Sequence, residues 1–161
     1  MPASASISRR QLLRGRPLPA PFEPRPPGAV SLDACTGCGD CVRACPQQIL
    51  SIAQDRVILL PRDECTFCGE CARACPEPVF GKTRIMGHLV AISGDCLTHA
   101  GISCMTCRDT CPEDAISMRP RIGGPFLPEI DGAACTGCGA CIAPCPNGAI
   151  GIIERNMADA E

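Results

Sequence analysis

The sequence predicts an α+β protein made of two similar modules with short helices and small antiparallel β-hairpins, preceded by an extended N-terminal tail. Three observations predict this class: a fourfold repeat of closely spaced cysteines, a poor supply of large apolar residues, and short apolar runs on either side of turns. The 161 residues include 16 Cys, 17 Pro and 16 Gly, but only 4 Phe and no Tyr or Trp. Because packing alone barely offsets conformational entropy in such a chain, we expect the cysteines to supply the missing order.

The cysteine repeat indicates the chemistry. Three copies read C-x2-C-x2-C-x3-C-P, and the third of the four motifs along the chain reads C-x7-C-x2-C-x3-C-P. This is the spacing of bacterial ferredoxins, in which three clustered thiolates bind one 4Fe-4S cluster and the fourth binds a neighbouring cluster. Zinc sites normally use two separated C-x2-C pairs, and a disulfide framework would need an export signal. We therefore predict four 4Fe-4S clusters with every cysteine as a ligand: Cys35, Cys38, Cys41, Cys45, Cys65, Cys68, Cys71, Cys75, Cys96, Cys104, Cys107, Cys111, Cys135, Cys138, Cys141 and Cys145.

Local structure around the motifs follows from glycine and proline. The backbone must curl tightly around a cluster, and glycine adopts the required positive φ without strain. We expect positive φ at Gly37, Gly39, Gly69, Gly137 and Gly139. The proline after each fourth cysteine ends the short helical turn before it, such as that at 42–44.

Short strands are predicted on either side of two turns. Residues 49–53 and 57–60 flank one turn, and residues 115–118 and 126–130 flank another. An apolar pair follows each C-P at a fixed offset, and we expect these pairs to pack against the clusters: Ile49 and Leu50, Val79 and Phe80, Ala115 and Ile116, Ala149 and Ile150.

The pairing of the motifs has two solutions. Their spacing favours tandem pairs, motif one with two and three with four, and a nested arrangement of one with four and two with three stays open. Tandem pairing places a tail at 1–30, modules at 31–86 and 87–155, a boundary within 81–87, and a C-terminal tail at 156–161. By the crossover rule, its ligand sets are Cys35, Cys38, Cys41, Cys75; Cys65, Cys68, Cys71, Cys45; Cys96, Cys104, Cys107, Cys145; and Cys135, Cys138, Cys141, Cys111.

The third motif differs from the others. Gly101 occupies the position three residues before Cys104, where the first ligand is expected, and Met105 occupies a position where glycine is usual. The first ligand must therefore be Cys96, at the start of a longer loop. We expect this cluster to be the most labile or the most exposed. We interpret His99 as an exposed loop residue and His88 as a structural one.

Charge separates the tail from the remainder of the chain. Residues 1–30 have a net charge of +4 and contain seven prolines, whereas residues 31–161 have a net charge of −6. An acidic body without stacking aromatics argues against nucleic-acid binding, and no apolar run is long enough for membrane insertion. The tail resembles a twin-arginine signal without an apolar region, so we expect a cytoplasmic protein, with Arg9, Arg10 and Arg14 as weak candidates for partner binding.

The four motifs, the seven-residue gap after Cys96 and the arginine-rich start resemble the NapF family of ferredoxin-type proteins. The resemblance implies a cytoplasmic accessory of periplasmic nitrate reductase that binds the catalytic subunit and assists its maturation before export. The alternatives are an electron-transfer subunit of a respiratory complex and a free ferredoxin. No motif for substrate chemistry is present, so we expect an electron-transfer or maturation protein and not an enzyme.

Overall fold

The computed structural model describes residues 22–81 and 86–155. Three short helices and six strands form within these ranges, as an α+β fold with small elements. The helices are α1 (Asp40–Ala44), α2 (Glu70–Ala74) and α3 (Thr106–Asp109). The strands are β1 (Leu50–Ala53), β2 (Arg56–Leu59), β3 (His88–Ile92), β4 (Ile116–Arg119), β5 (Leu127–Ile130) and β6 (Ile150–Glu154).

Both predicted β-hairpins form. Strands β1 and β2 pair antiparallel with Leu50 opposite Leu59, and β4 and β5 pair antiparallel with Ile116 opposite Ile130. Each hairpin connects two cysteine motifs that are neighbours in the chain. The hairpins therefore bring motif one close to motif two, and motif three close to motif four.

A second pairing in each half of the chain was not predicted. Strands β3 and β6 pair antiparallel, with His88 opposite Glu154. In the N-terminal half (22–81), a single bridge joins Ala29 to Phe80 at the corresponding place. In both halves, the segment before the first motif thus pairs with the segment after the second.

Two of the three helices follow a glycine at which positive φ was predicted. Gly39 and Gly69 precede α1 and α2 in the left-handed conformation, with φ of 79° and 78°. The fourth motif forms turns in place of a helix. Pro144 explains this difference, because it removes the N–H that would bond to the carbonyl of residue 140.

Two apolar cores lie beside the motifs, one in each half of the chain. The predicted apolar pairs belong to this packing: Ile49, Leu50, Val79, Ala115, Ile116, Ala149 and Ile150 are all buried, and Phe80 is half-buried. The cores are small, which agrees with the composition.

A backbone hydrogen bond between the second and fourth motifs joins the two halves, and a further one ties the start of the C-terminal half to motif four. The Cys65 N–H donates to the Cys138 carbonyl at 2.8 Å, and the Met86 N–H donates to the Thr136 carbonyl at 3.0 Å. Residues 1–21, 82–85 and 156–161 lie outside the described residues; they include most of the predicted N-terminal tail, with Arg9, Arg10 and Arg14, and the whole predicted C-terminal tail. Residues 22–30 of the predicted tail are described and pair with the first module through Ala29 and Val30. None of the helices in the described ranges has the length and hydropathy needed to cross a membrane.

Candidate metal centres

Four cavities lie next to the motifs, and four cysteines line each one. We call them sites one to four, in the order of the motifs that supply three of their cysteines. Their non-atom volumes are about 300, 350, 360 and 300 Å³, including space open to solvent. The cysteines are Cys35, Cys38, Cys41 and Cys75 at site one; Cys45, Cys65, Cys68 and Cys71 at site two; Cys96, Cys104, Cys107 and Cys145 at site three; and Cys111, Cys135, Cys138 and Cys141 at site four.

The cysteines of neighbouring motifs share cavities, as tandem pairing predicts. Each site takes three cysteines from one motif and the fourth from its neighbour along the chain, as in bacterial ferredoxins. The cysteines surround a cavity and do not converge on one point: within 22–81 and 86–155, no group of three or more His, Cys, Asp or Glu residues is placed to hold a single metal ion. This arrangement fits a multi-iron cluster better than it fits zinc. The apolar pairs after C-P line the same cavities.

Burial makes the central thiols reluctant to ionise. It raises the pKa of Cys71 to about 11 and that of Cys141 to about 12. Burial also raises the pKa of Cys41, Cys65 and Cys107, and neighbouring backbone N–H groups partly oppose this increase. A bound cation reverses this balance because it stabilises the thiolate directly. Cluster binding at these positions therefore has to release the thiol protons.

Glycine is needed at two motif positions because another backbone segment passes close by. A Cβ on Gly37 would lie 3.0 Å from the Asp55 carbonyl oxygen, and one on Gly137 would lie 2.5 Å from the His88 carbonyl oxygen. All five glycines predicted to have positive φ do so. In motif two the corresponding residue is Phe67, which takes φ of 50° and lines site two.

Site three differs from the expectation of an exposed cluster. Thr98, in the long loop, is fully buried, and the Arg121 guanidinium donates to its carbonyl at 2.7 Å. The most exposed cysteines are instead Cys38 and Cys68, at sites one and two. The expectation of greater exposure was wrong because it treated loop length as looseness, whereas this loop has its own turns and a hydrogen bond from Arg121.

Two ion pairs at sites one and two were not predicted from the sequence. Arg43 pairs with Asp40 on α1, and Arg73 pairs with Glu70 on α2. Arg43 also donates to the Cys38 carbonyl at 3.3 Å. The i, i+3 spacing of opposite charges in each helix could have predicted these pairs. Both pairs are exposed, so each contributes little to stability.

Arg155 and His88 brace site four from outside the motifs. Arg155 donates to the carbonyls of Gly132, Met86 and Cys135, which ties the end of β6 to the start of motif four. His88 is 1% exposed, and its Nε2 lies 3.1 Å from the Gly137 carbonyl oxygen, so it is structural as interpreted. His99 is exposed, also as interpreted.

Comparisons with known proteins agree with this geometry. A model of the 4Fe-4S dicluster domain matches residues 34–79 and 102–149. The chain is 42% identical over 134 residues to the ferredoxin-type protein NapF of Haemophilus influenzae, covering 78% of this chain and 76% of that protein. It is 37% identical over 151 residues to NapF of Escherichia coli K12, covering 89% and 92%. It is also 36% identical over a 181-residue alignment to the methylamine utilization ferredoxin-type protein MauM of Methylobacillus flagellatus, covering 94% and 77%. With two dicluster domains that imply four 4Fe-4S clusters, the chain belongs to the NapF family of ferredoxin-type proteins.

Proposed function

We propose that this chain is a cytoplasmic accessory protein that binds the catalytic subunit of periplasmic nitrate reductase and helps it mature before export. In this proposal, the chain assists either the loading of a cluster into the catalytic subunit or the redox-dependent assembly of that subunit. The observation that supports this best is the set of four cysteine-lined cavities, within a chain that aligns with NapF proteins over most of its length. A bound 4Fe-4S cluster supplies one-electron oxidation and reduction.

The proposed ligands are all sixteen cysteines, in the four groups that line sites one to four. We also propose modules at 31–86 and 87–155, with tails at 1–30 and 156–161, where the end of the N-terminal tail pairs with the first module at Ala29. The hairpin inside each half supports these boundaries because it joins the two motifs whose cysteines share cavities. Backbone amides near the sulfurs, such as that of Ala149 at 3.3 Å from Cys145 Sγ, would stabilise negative charge on the ligands.

A docking face for the catalytic subunit is proposed beside site three. Ile102 and Met105 flank this site in the chain and are 54% and 47% exposed. Ile122 is fully exposed and follows Arg121, which contacts the same loop. Large apolar side chains exposed next to a redox site are typical of partner contacts. The basic tail, with Arg9, Arg10 and Arg14, is the second proposed contact.

A strain without this chain tests the maturation role. The catalytic subunit isolated from that strain should contain less iron and show lower activity with an artificial electron donor. Wild-type protein supplied from a plasmid should restore both, and an Ile102→Ser, Met105→Ser variant should restore less. A catalytic subunit with normal iron content and normal artificial-donor activity would contradict the proposal.

The second candidate is an electron-transfer subunit of a respiratory redox complex. The hydrogen bond from Cys65 to Cys138 favours it, since this bond joins proposed ligands of sites two and four across the two halves. In that case, the deletion should lower nitrate reduction with the physiological electron donor but leave artificial-donor activity intact. The same strain therefore separates the two functions.

A further inference from the structure

Site three has hydroxyl groups next to two of its cysteine sulfurs. Thr98 Oγ1 lies 3.3 Å from Cys96 Sγ, and Thr106 Oγ1 lies 3.6 Å from Cys104 Sγ. Both distances are within the range of hydrogen bonds to sulfur. Two of the four proposed ligands at this site therefore have a hydroxyl partner.

The position of Thr98 is fixed by its surroundings. Its residue exposure is 0%, so water does not compete for the hydroxyl. Its carbonyl accepts hydrogen bonds from the Arg121 guanidinium at 2.7 Å and from the Gly101 N–H at 3.2 Å. The loop after Cys96 is five residues longer than the loop in the other motifs. These contacts hold it so that the Thr98 hydroxyl faces Cys96 Sγ.

The residue at the position of Thr106 differs among the motifs. Thr106 directly precedes the third cysteine of its motif, where the other motifs have Asp40, Glu70 and Ala140. At site one, the Asp40 carboxylate lies 3.5 Å from Cys38 Sγ. A carboxylate has no proton to donate to a ligated sulfur and repels added negative charge, whereas a hydroxyl can donate.

We propose that Thr98 and Thr106 are positioning residues that donate hydrogen bonds to the ligand sulfurs of the third cluster and raise its reduction potential. A ligated cysteine sulfur has lost its proton, so only the hydroxyl can be the donor. Reduction adds negative charge that spreads onto the sulfurs, and a donor there stabilises the reduced form more than the oxidised form. This inference rests on the proposed cysteine ligation of site three.

The test is a redox titration of the anaerobically purified full chain, followed by electron paramagnetic resonance, with iron content measured for every variant. Thr98→Val and Thr106→Val remove one hydroxyl each. Each should lower the equilibrium constant for reduction of one cluster by up to about tenfold, which is ~59 mV for one electron. Thr98→Ser keeps the hydroxyl and should titrate like the wild type. Thr66→Val, at an exposed threonine beside Cys65 at site two, is the matched control and should shift nothing at site three.

Each outcome decides the inference. Unshifted potentials in both valine variants at full iron content would overturn it, as would an equal shift in Thr98→Ser, which would assign the effect to packing. If the buried Thr98→Val variant loses its cluster, Thr106→Val and Thr98→Ser decide the matter. A wild-type chain with only about twelve irons would overturn the proposed ligation itself, since four clusters contain about sixteen.

Discussion

Gly137 lies where the fourth motif passes closest to another backbone segment, so alanine at this position tests how the C-terminal half is packed. The added Cβ would lie 2.5 Å from the His88 carbonyl oxygen and 2.9 Å from Met86 Cβ. The left-handed φ of 80° adds a further penalty for alanine. Strain of this kind costs about 1–2 kcal/mol, and overpacking against a rigid neighbour adds about 1–3 kcal/mol. Gly137→Ala should therefore lower the free energy of unfolding by about 2–5 kcal/mol.

Gly69→Ala is the matched control. Its φ is 78°, but a Cβ there would meet nothing within 4 Å, so only the strain of about 1–2 kcal/mol applies. The assay is anaerobic guanidinium denaturation of both variants, followed by circular dichroism and cluster absorbance. Equal losses, within about 0.5 kcal/mol, would refute the packing argument. A Gly137→Ala chain that retains fewer clusters than Gly69→Ala would support it.

Four further predictions concern metal, folding, pH and oxidation. Anaerobically purified protein should contain about sixteen irons per chain by elemental analysis, and zinc as the main metal would contradict the cluster assignment. Removing the iron should abolish cooperative thermal unfolding, because cluster binding contributes folding free energy; a sharp calorimetric transition in metal-free protein would oppose this. Burial lowers the pKa of His88, so the folded state favours its neutral form. The free energy of unfolding should therefore fall as pH drops below about 6.5, by up to about 1.4 kcal/mol per pH unit. Denaturation at pH 7.5 and 5.5 should show this pH dependence in the wild type and not in His88→Gln. Mass spectrometry after mild oxidation should find Cys38 and Cys68 modified before the buried Cys107 and Cys141, and the reverse order would contradict the role of exposure.

Local features were predictable because their causes are local. A hairpin depends on a few residues at a turn, so the pairing of β1 with β2 could be expected from the sequence. The apolar pairs after C-P were equally predictable, since each lies at a fixed distance in the chain from the fourth cysteine of its motif. Ile49 and Ala149, for example, are 3% and 2% exposed.

Features that join distant segments were not predictable. Strand β3 was visible only as an apolar run, and its partner β6 lies at the far end of the same half. The bracing of motif four by Arg155 depends on that pairing, because β6 ends just before this arginine. A single sequence contains no signal that links these segments.

The third motif shows why loop length alone is a poor guide to exposure. The seven-residue gap suggested a loose and accessible cluster, but Arg121 approaches from the hairpin between motifs three and four and closes the loop through the Thr98 carbonyl. The longer loop therefore provides a buried hydroxyl, and not an opening, next to Cys96. At sites one and two, Cys38 and Cys68 are exposed, whereas Cys138 of the equally short motif four is half-buried, where its carbonyl accepts a hydrogen bond from the Cys65 N–H. The buried Thr98 thus shields Cys96 from solvent, which predicts a third cluster that is more resistant to oxidants than its spacing suggests.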